Sequence, residues 1–278
     1  MDSLQIIDLL FLGERREIGA YLVDTEAGPA LFDCGPATTL EQLRAGLGEH
    51  GLAVGDLRHL LLSHIHLDHA GAAGALVREN PELTVWVSPV GAPHLVDPAR
   101  LETSARRLFG AAFDKLWGPL TPVPEQNVRL AEGDVLGWEA FPTPGHAFHH
   151  VAYLRDGTLL AGDACGVRIR PSDYVQPVSP PPEIDVEAWH HSIDEIERRH
   201  PERLALIHFD VATDVAEHLA RLRTELDRWA DRVRNGMSED EFVAAATADA
   251  GDEAERYSAV ITFAMSYQGL KRYWDKRL

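Results

Sequence analysis

The sequence is poor in cysteine and has no long apolar run. Of its 278 residues, only Cys34 and Cys165 are cysteines, and two thiols cannot build a disulfide framework. No stretch approaches the roughly 20 consecutive apolar residues that a membrane-spanning helix needs. Neither an internal repeat nor a low-complexity segment interrupts the chain. These absences argue against a disulfide scaffold and against a membrane-spanning helix.

Positive charge is also scarce. The chain has 26 lysines and arginines against 44 acidic residues, a formal net charge of −18. Such a surface repels phosphates on average, whereas nucleic-acid-binding proteins usually carry a basic patch. We therefore expect no nucleic acid and no membrane among the partners. Residues 1–12 lack a basic start and a small-residue cleavage site, so the sequence predicts no secretion signal and a cytoplasmic location.

Apolar residues are present in the amount that a sizeable core requires. Hydrophobic residues make up 45% of the chain, which fits one large domain with an appendage. We predict a domain over residues 1–210 and a C-terminal helical extension over residues 211–278 that packs on it. The predicted strands are 4–12, 18–24, 30–33, 60–62, 84–88, 128–130, 135–140, 151–154, 158–161 and 204–207. The predicted helices are 39–50, 98–117, 185–199, 212–232, 238–248 and 255–274.

A dense cluster of ligand-type residues follows one of these strands, in the segment Ser-His-Ile-His-Leu-Asp-His at residues 63–69. In extended chain, His64 and His66 point to the same side. The chain must then turn at Asp68 and His69, because a run of alanine and glycine begins a helix there. Imidazole and carboxylate are the ligands of open catalytic zinc sites. The segment therefore predicts a metal site.

Three isolated residues fit the same centre. His146 follows a predicted strand in Thr-Pro-Gly-His, and Asp163 ends another in Gly-Asp. The dipeptide Asp156-Gly157 between them predicts a hairpin, which returns its two ends to one edge of a sheet. His208 ends the last predicted strand. Active sites of sheet-based enzymes are commonly built from strand ends and the loops after them.

This order of ligands resembles the signature of the metallo-β-lactamase superfamily, H-x-H-x-D-H followed by a His, an Asp and a His, over residues 5–210. The resemblance implies an α/β fold of the αββα type, two sheets packed face to face with helices outside. It also implies two divalent metal ions, for which we predict zinc, with iron and manganese as alternatives. By the resemblance, His64, His66 and His146 hold one metal, Asp68, His69 and His208 hold the second, and Asp163 bridges the two.

The resemblance further implies a mechanism. Two ions about 3.5–4 Å apart share a water and lower its pKa, so that the bridging hydroxide attacks a carbonyl or phosphoryl centre. Asp68 is the expected catalytic residue, since a carboxylate beside this water can pass a proton to the leaving group. Asp33, in Phe-Asp-Cys-Gly, either orients a ligand histidine or is a turn aspartate before Gly35; the sequence leaves both open. Ser63 stands where many members carry threonine.

The leading hypothesis for function is hydrolysis of a small ester, thioester or lactone. Glyoxalase II-like thioesterases and acyl-homoserine-lactone lactonases are similar in their ligand set of aspartate and five histidines. The Asp68-His69 pair argues against β-lactamases, and the acidic charge argues against the nuclease branches. A second hypothesis is a mononuclear iron persulfide dioxygenase-like oxidoreductase, because the same ligands suit iron. A non-catalytic binding protein on this scaffold ranks last, because every expected ligand is present.

Several residues near the ligands keep two interpretations. Alternation along a strand would put His149 and His150 on opposite faces, so that at most one points at the metals. We expect one of them to be structural and the other to be a candidate substrate contact. Tyr174 lies in the proline-rich irregular segment 166–184 and either contacts substrate or packs.

The remaining expectations concern packing and partners. Both cysteines are predicted to be small buried thiols. The apolar stripe within residues 257–274 predicts a buried or subunit-facing surface, which leaves a homodimer open beside the expected small-molecule substrate.

Overall fold

In the computed structural model, which describes residues 4–277, the chain divides into two units, Met1–Pro142 and Thr143–Leu278. We call them the first and the second unit. The predicted boundary at residue 210 is a different division and stays a prediction. The C-terminal helices share a unit with His146, Asp163 and His208.

The first unit is built on a six-stranded mixed sheet in which spatial order follows chain order. The strands are β1 (Gln5–Asp8), β2 (Gly19–Thr25), β3 (Gly28–Phe32), β4 (His59–Leu61), β5 (Thr84–Val87) and β6 (Val128–Leu130). The β1–β2 and β2–β3 pairs are antiparallel, and the next three pairs are parallel. Leu31 of β3 pairs with Leu60 of β4, and both side chains are fully buried. Continuous apolar runs are typical of such covered parallel strands.

Six α-helices lie among residues 4–142 of the first unit. They are α1 (Leu40–Glu49), α2 (Leu67–Ala70), α3 (Ala73–Glu79), α4 (Ala92–Val96), α5 (Ala99–Phe109) and α6 (Phe113–Leu116). The predicted single helix over residues 98–117 is wrong in its middle, because the backbone at Gly110 has φ +54° and separates α5 from α6. Helix α4 was not predicted, since five residues show too little periodicity.

Two predicted strands of the first unit are too long. The strand over residues 4–12 stops at Asp8, because Leu10 and Leu12 adopt left-handed backbone conformations. The strand over residues 135–140 is a hairpin of β7 (Gly133–Val135) and β8 (Trp138–Pro142). Leu136 and Gly137 form its turn with φ of 58° and 84°, and the apolar leucine conceals this turn in the sequence.

The second unit holds four strands in the order β12-β11-β10-β9. They are β9 (Val151–Arg155), β10 (Thr158–Leu160), β11 (Arg203–Leu206) and β12 (Asp210–Ala212). Strands β10 and β11 are parallel, and the other two pairs are antiparallel. The predicted hairpin turn at Asp156-Gly157 is confirmed, with φ of 47° and 70°. Strand β12 falls partly where the sequence predicted the start of a helix.

Five α-helices lie among residues 143–277 of the second unit. They are α7 (Val186–Arg198), α8 (Val215–Arg234), α9 (Glu239–Ala250), α10 (Ala254–Val260) and α11 (Phe263–Asp275). The predicted helix over residues 255–274 is broken before Thr262, whose hydroxyl accepts a hydrogen bond from the Met265 amide at 3.2 Å and caps α11. Among residues 4–277, no helix combines the length and the apolar character needed to cross a membrane.

Candidate metal centre

Four of the predicted ligands lie between the end of β4 and the end of α2, and we call them the first-unit ligands: His64, His66, Asp68 and His69. The ring centroids of His64 and His66 are 4.5 Å apart, and those of His64 and His69 are 4.1 Å apart. The Nε2 atom of His69 lies 3.6 Å from Oδ2 of Asp68. His64 and His69 are fully buried, whereas His66 and Asp68 are partly exposed. The strand-turn-helix sequence thus brings all four predicted first-unit ligands together.

A buried carboxylate orients one of these histidines. Asp33 follows β3 and is fully buried, and its Oδ2 lies 2.8 Å from Nδ1 of His69. It also accepts hydrogen bonds from the Ser63 amide at 2.8 Å and the Ser63 hydroxyl at 2.7 Å. Burial raises the pKa of Asp33, and the neighbouring His69 opposes this shift. With its proton on Nδ1, His69 keeps the Nε2 lone pair for a metal. The contact with His69 supports the orienting interpretation of Asp33. Asp33 also has a positive φ of 53°, as the turn interpretation expects.

The helices after the motif are held by direct backbone packing. A Cβ atom at Gly74 would lie 1.9 Å from the Thr121 carbonyl oxygen. A Cβ atom at Gly71 would lie 2.4 Å from the Leu67 carbonyl oxygen and 3.0 Å from Cα of Pro36. Only glycine permits such approach, so these two positions fix how α2 and α3 leave the ligand segment.

The second-unit ligands come from three separate places in the chain and meet at one carboxylate. Asp163 follows β10, His146 precedes β9, and His208 follows β11. Oδ2 of Asp163 lies 3.3 Å from Nε2 of His146, and its Oδ1 lies 3.4 Å from Nε2 of His208. Each of these three residues has only 1% of its surface exposed. The structure therefore brings together the three predicted second-unit ligands, with one carboxylate oxygen directed at each histidine.

The tautomer of His146 is fixed by a backbone carbonyl. Nδ1 of His146 donates to the Val178 carbonyl oxygen at 2.6 Å. A carbonyl oxygen only accepts, so the proton resides on Nδ1 and Nε2 presents its lone pair. Val178 belongs to the irregular segment 166–184, which thereby supports a ligand.

Helix α7 supports the turns that carry two of these ligands. The Trp189 indole donates to the Ala164 carbonyl at 2.8 Å, and the Ser192 hydroxyl donates to the Pro144 carbonyl at 2.5 Å. The Trp189 ring also packs edge-on against His146, with centroids 5.9 Å apart. Ala164 directly follows Asp163, and Pro144 lies two residues before His146. These bonds therefore limit how far the turns that carry the two ligands can move.

His150 is a supporting residue whose role the sequence did not reveal. The Asp163 amide donates to Nε2 of His150 at 3.1 Å, and Nδ1 of His150 lies 2.7 Å from the Thr143 hydroxyl. Because Nε2 accepts, Nδ1 carries the proton. Both His149 and His150 precede β9 rather than lie in it, so the alternation argument did not apply. The Gly-His-x-x-His-His pattern signalled ligand chemistry but not this contact.

The buried residues His218 and Cys165 contact each other, and Cys165 lies two residues after Asp163 in the chain. Burial lowers the pKa of His218 to about 4, so that it is neutral at pH 7 and its Nε2–H donates to the Cys165 carbonyl at 2.8 Å. Burial raises the pKa of both Cys165 and Cys34 above the usual range of a thiol. The prediction that both cysteines are small buried thiols is confirmed.

The other polar residues singled out in the sequence have packing or surface contacts. Nε2 of His149 lies 3.4 Å from Oε2 of Glu183. Tyr174 packs its ring edge-on against Tyr257 at 5.1 Å, and burial raises its pKa. This contact favours the packing interpretation of Tyr174.

Comparison with known proteins agrees with this geometry. A family model described as the metallo-β-lactamase superfamily matches residues 16–208, which include all seven predicted ligands. The solved structure of ST1585, an archaeal metallo-β-lactamase superfamily protein from Sulfolobus tokodaii, has a TM-score of 0.70 at 20% identity. That match covers 98% of this chain and 99% of that chain, and it confirms the predicted fold class: two mixed sheets with helices, followed by C-terminal helices.

Two further relatives are closer in sequence. TTHA1623, solved in a di-iron-bound form, has a TM-score of 0.57 and 28% identity, and covers 74% of this chain and 94% of its own. The hydroxyacylglutathione hydrolase of Vibrio cholerae is 27% identical over 139 residues, 48% of this chain and 41% of that enzyme. The chain spans about half the length of the curated relatives it matches.

The family match spans more than half of the chain and encloses both ligand sets, and the fold agrees with that of solved members. The chain belongs to the metallo-β-lactamase superfamily.

Proposed function

We propose that the chain is a binuclear metal-dependent hydrolase that cleaves a small ester, thioester or lactone. The observation that carries this proposal is the position of Asp163 between two ligand histidines, at 3.3 Å and 3.4 Å from their Nε2 atoms. A carboxylate that directs one oxygen to each side is suited to bridge two cations, whereas one metal would need only one of those oxygens.

The donor set fits two divalent cations. We propose that His64, His66 and His146 hold one ion, that Asp68, His69 and His208 hold the other, and that Asp163 bridges them. All seven donors are imidazole or carboxylate, the ligands of catalytic zinc sites, and the same set suits iron. The di-iron form of TTHA1623 supports two-metal occupancy. Two such ions would lower the pKa of a water between them and polarise the substrate's carbonyl oxygen.

The chain's own residues would keep the ligands in place and move the proton. Asp33 and the Val178 carbonyl each hold the Nδ1–H of a ligand histidine, which leaves Nε2 available. Asp68 is partly exposed, with 21% of its side chain accessible. A partly exposed carboxylate can exchange protons with solvent, so we assign Asp68 the transfer of a proton to the leaving group.

The substrate class is supported by two observations. Several curated relatives at 27–28% identity are hydroxyacylglutathione hydrolases, whose name describes hydrolysis of an acyl substrate. The net charge of −18 disfavours long phosphate polymers as substrates. A small uncharged or weakly charged acyl compound fits both.

Metal content is the first measurement. Protein purified without chelator should contain two zinc ions, or another divalent pair, per chain by elemental analysis. It should then hydrolyse at least one member of a panel of thioesters, esters and lactones. The variant His208→Ala should lose at least one ion and the activity. The matched control His191→Ala should keep both, because His191 lies on α7 with 69% of its side chain exposed.

One result would contradict the proposal directly. A single iron per chain, with oxygen consumed on a persulfide substrate and no hydrolysis, would favour the dioxygenase hypothesis instead.

A further inference from the structure

The irregular segment 166–184 is fastened to the C-terminal helices by a tyrosine. The hydroxyl of Tyr257, on α10, accepts a hydrogen bond from the Ile169 amide at 3.0 Å and donates to the Tyr174 carbonyl at 2.6 Å. Tyr257 is fully buried. One side chain thus ties both arms of the segment's first turn to α10.

A second pair of hydrogen bonds continues this attachment toward α11. The side-chain nitrogen Nε2 of Gln176 donates to the Ile261 carbonyl at 3.3 Å. The Ser179 hydroxyl donates to the Ser266 carbonyl at 3.4 Å. Gln176, Ser179 and Ser266 are fully buried. A buried donor or acceptor that loses its partner costs free energy, because it has no water to replace that partner. The segment and the helix are therefore expected to move together.

At Gly269 the helix and the segment touch backbone to backbone. A Cβ atom at this position would lie 2.0 Å from the Ser179 carbonyl oxygen and 2.9 Å from the carbonyl carbon of Pro180. Real Cβ atoms do not approach so closely, so any larger residue at Gly269 must push the segment away from α11. The absence of a side chain at Gly269 therefore sets where Ser179 lies.

The residue immediately before Ser179 holds the ligand histidine. The Val178 carbonyl accepts the 2.6 Å hydrogen bond from Nδ1 of His146, and only 4% of Val178 is exposed. The other ring nitrogen of His146 faces Asp163 at 3.3 Å. A shift at Ser179 is thus transmitted through one peptide unit to the hydrogen bond that orients His146.

We infer that α10 and α11 position the metal ligand His146 through the segment 166–184, with Gly269 and Ser179 as positioning residues. The inference rests on the proposed function in taking His146 as a ligand. Partners that orient a ligand histidine typically change metal affinity by about 10–100-fold when they are removed. The C-terminal helices therefore determine metal affinity without supplying a ligand.

The test compares Gly269→Ala with Gly48→Ala. Gly48 lies in α1, and a Cβ atom there would meet nothing within 4 Å, so this control should leave metal binding unchanged. In Gly269→Ala, the zinc dissociation constant, measured by chelator competition on folded protein, should rise by about 10-fold. Ser179→Ala removes the hydroxyl without adding volume and should act in the same direction, which keeps the test informative if Gly269→Ala does not fold.

A second readout does not depend on metal. In metal-free protein labelled with ¹⁵N-histidine, the Nδ1–H signal of His146, identified by its absence in His146→Gln, should be visible in the wild type. It should weaken through faster exchange with water in Gly269→Ala. A merely structural role would lower thermal stability while leaving this signal and the zinc affinity unchanged.

The outcomes separate this inference from the proposed function. Wild-type zinc affinity and an unchanged His146 signal in both folded variants would overturn the inference while leaving the metal centre intact. A wild-type protein that binds no divalent metal would overturn the proposed function and this inference with it.

Discussion

The two ligand sets are brought together by different means. The first-unit ligands occupy residues 64–69, and a single strand-turn-helix passage brings them together. The second-unit ligands are spread from residue 146 to residue 208 and follow or precede three different strands. The first set is therefore determined mainly by local sequence, and the second by tertiary contacts.

Their supporting contacts differ accordingly. Buried Asp33 accepts from both a ligand histidine and Ser63, so the first set depends on one carboxyl group that serves two partners. The second set depends on two separate neutral partners, the Val178 carbonyl and the His150 ring. Hydrogen bonds to charged groups contribute more than neutral ones. We therefore expect the first set to be sensitive to one substitution and the second to several smaller ones.

The largest effect is expected from Asp163→Ala, which removes the carboxylate that lies between His146 and His208. Activity should fall by more than the roughly 100-fold upper range for an orienting partner, because a direct ligand is lost. At least one metal ion should be released while the circular dichroism spectrum stays that of a folded protein. The exposed Asp252→Ala is the control. Two bound ions and full rate in Asp163→Ala would show that the bridging assignment is wrong.

A smaller effect is expected from Asp33→Asn in the first unit. The amide keeps the volume but cannot accept from all the donors that face the carboxylate, so His69 loses its orientation. We expect metal affinity to fall by about 10–100-fold and the free energy of unfolding to fall by about 1–3 kcal/mol. Chelator competition and urea denaturation measure the two. The exposed Asp134→Asn should change neither, and the same result for Asp33→Asn would contradict its orienting role.

The smallest of the three effects is expected from His150→Phe in the second unit. Phenylalanine fills much of the volume of the imidazole ring but cannot accept a hydrogen bond. The backbone N–H of Asp163 therefore loses its acceptor. Turnover should fall by about 10-fold, as measured by steady-state kinetics. His150→Gln should restore part of the rate, because its amide oxygen can accept that bond. Equal losses in both variants would assign the effect to packing. A fall in turnover larger than the fall measured by the same kinetics for Asp33→Asn would reverse the comparison.

The sequence predicted the first-unit ligands and their surroundings better than those of the second unit. The convergence of the polar side chains of residues 64–69 could be predicted, because residue type, spacing and strand context lie within one short stretch. His150 could not be assigned, because its partner is a backbone amide that only the folded turn brings near. The same limit applies to Val178, whose side chain has no part in its contact with His146.

The errors in secondary structure also have local physical causes. Strand β12 and helix α4 are too short for a hydrophobic period to appear. The break before α11 was signalled by Thr262, a residue type that favours the N-cap, but the apolar stripe on both sides of it suggested one continuous helix.

The burial of both thiols makes the chain convenient for site-specific labelling. Cys34 and Cys165 have no accessible surface, and burial raises the pKa of each, so neither presents a thiolate to an alkylating reagent at neutral pH. A cysteine introduced at Leu130 in the first unit or at Phe148 in the second, positions that are 49% and 52% exposed, would then be selectively modified. A pair of spin labels at these positions would report the distance between the two units in solution, with and without metal, in a chain that keeps its native cysteines.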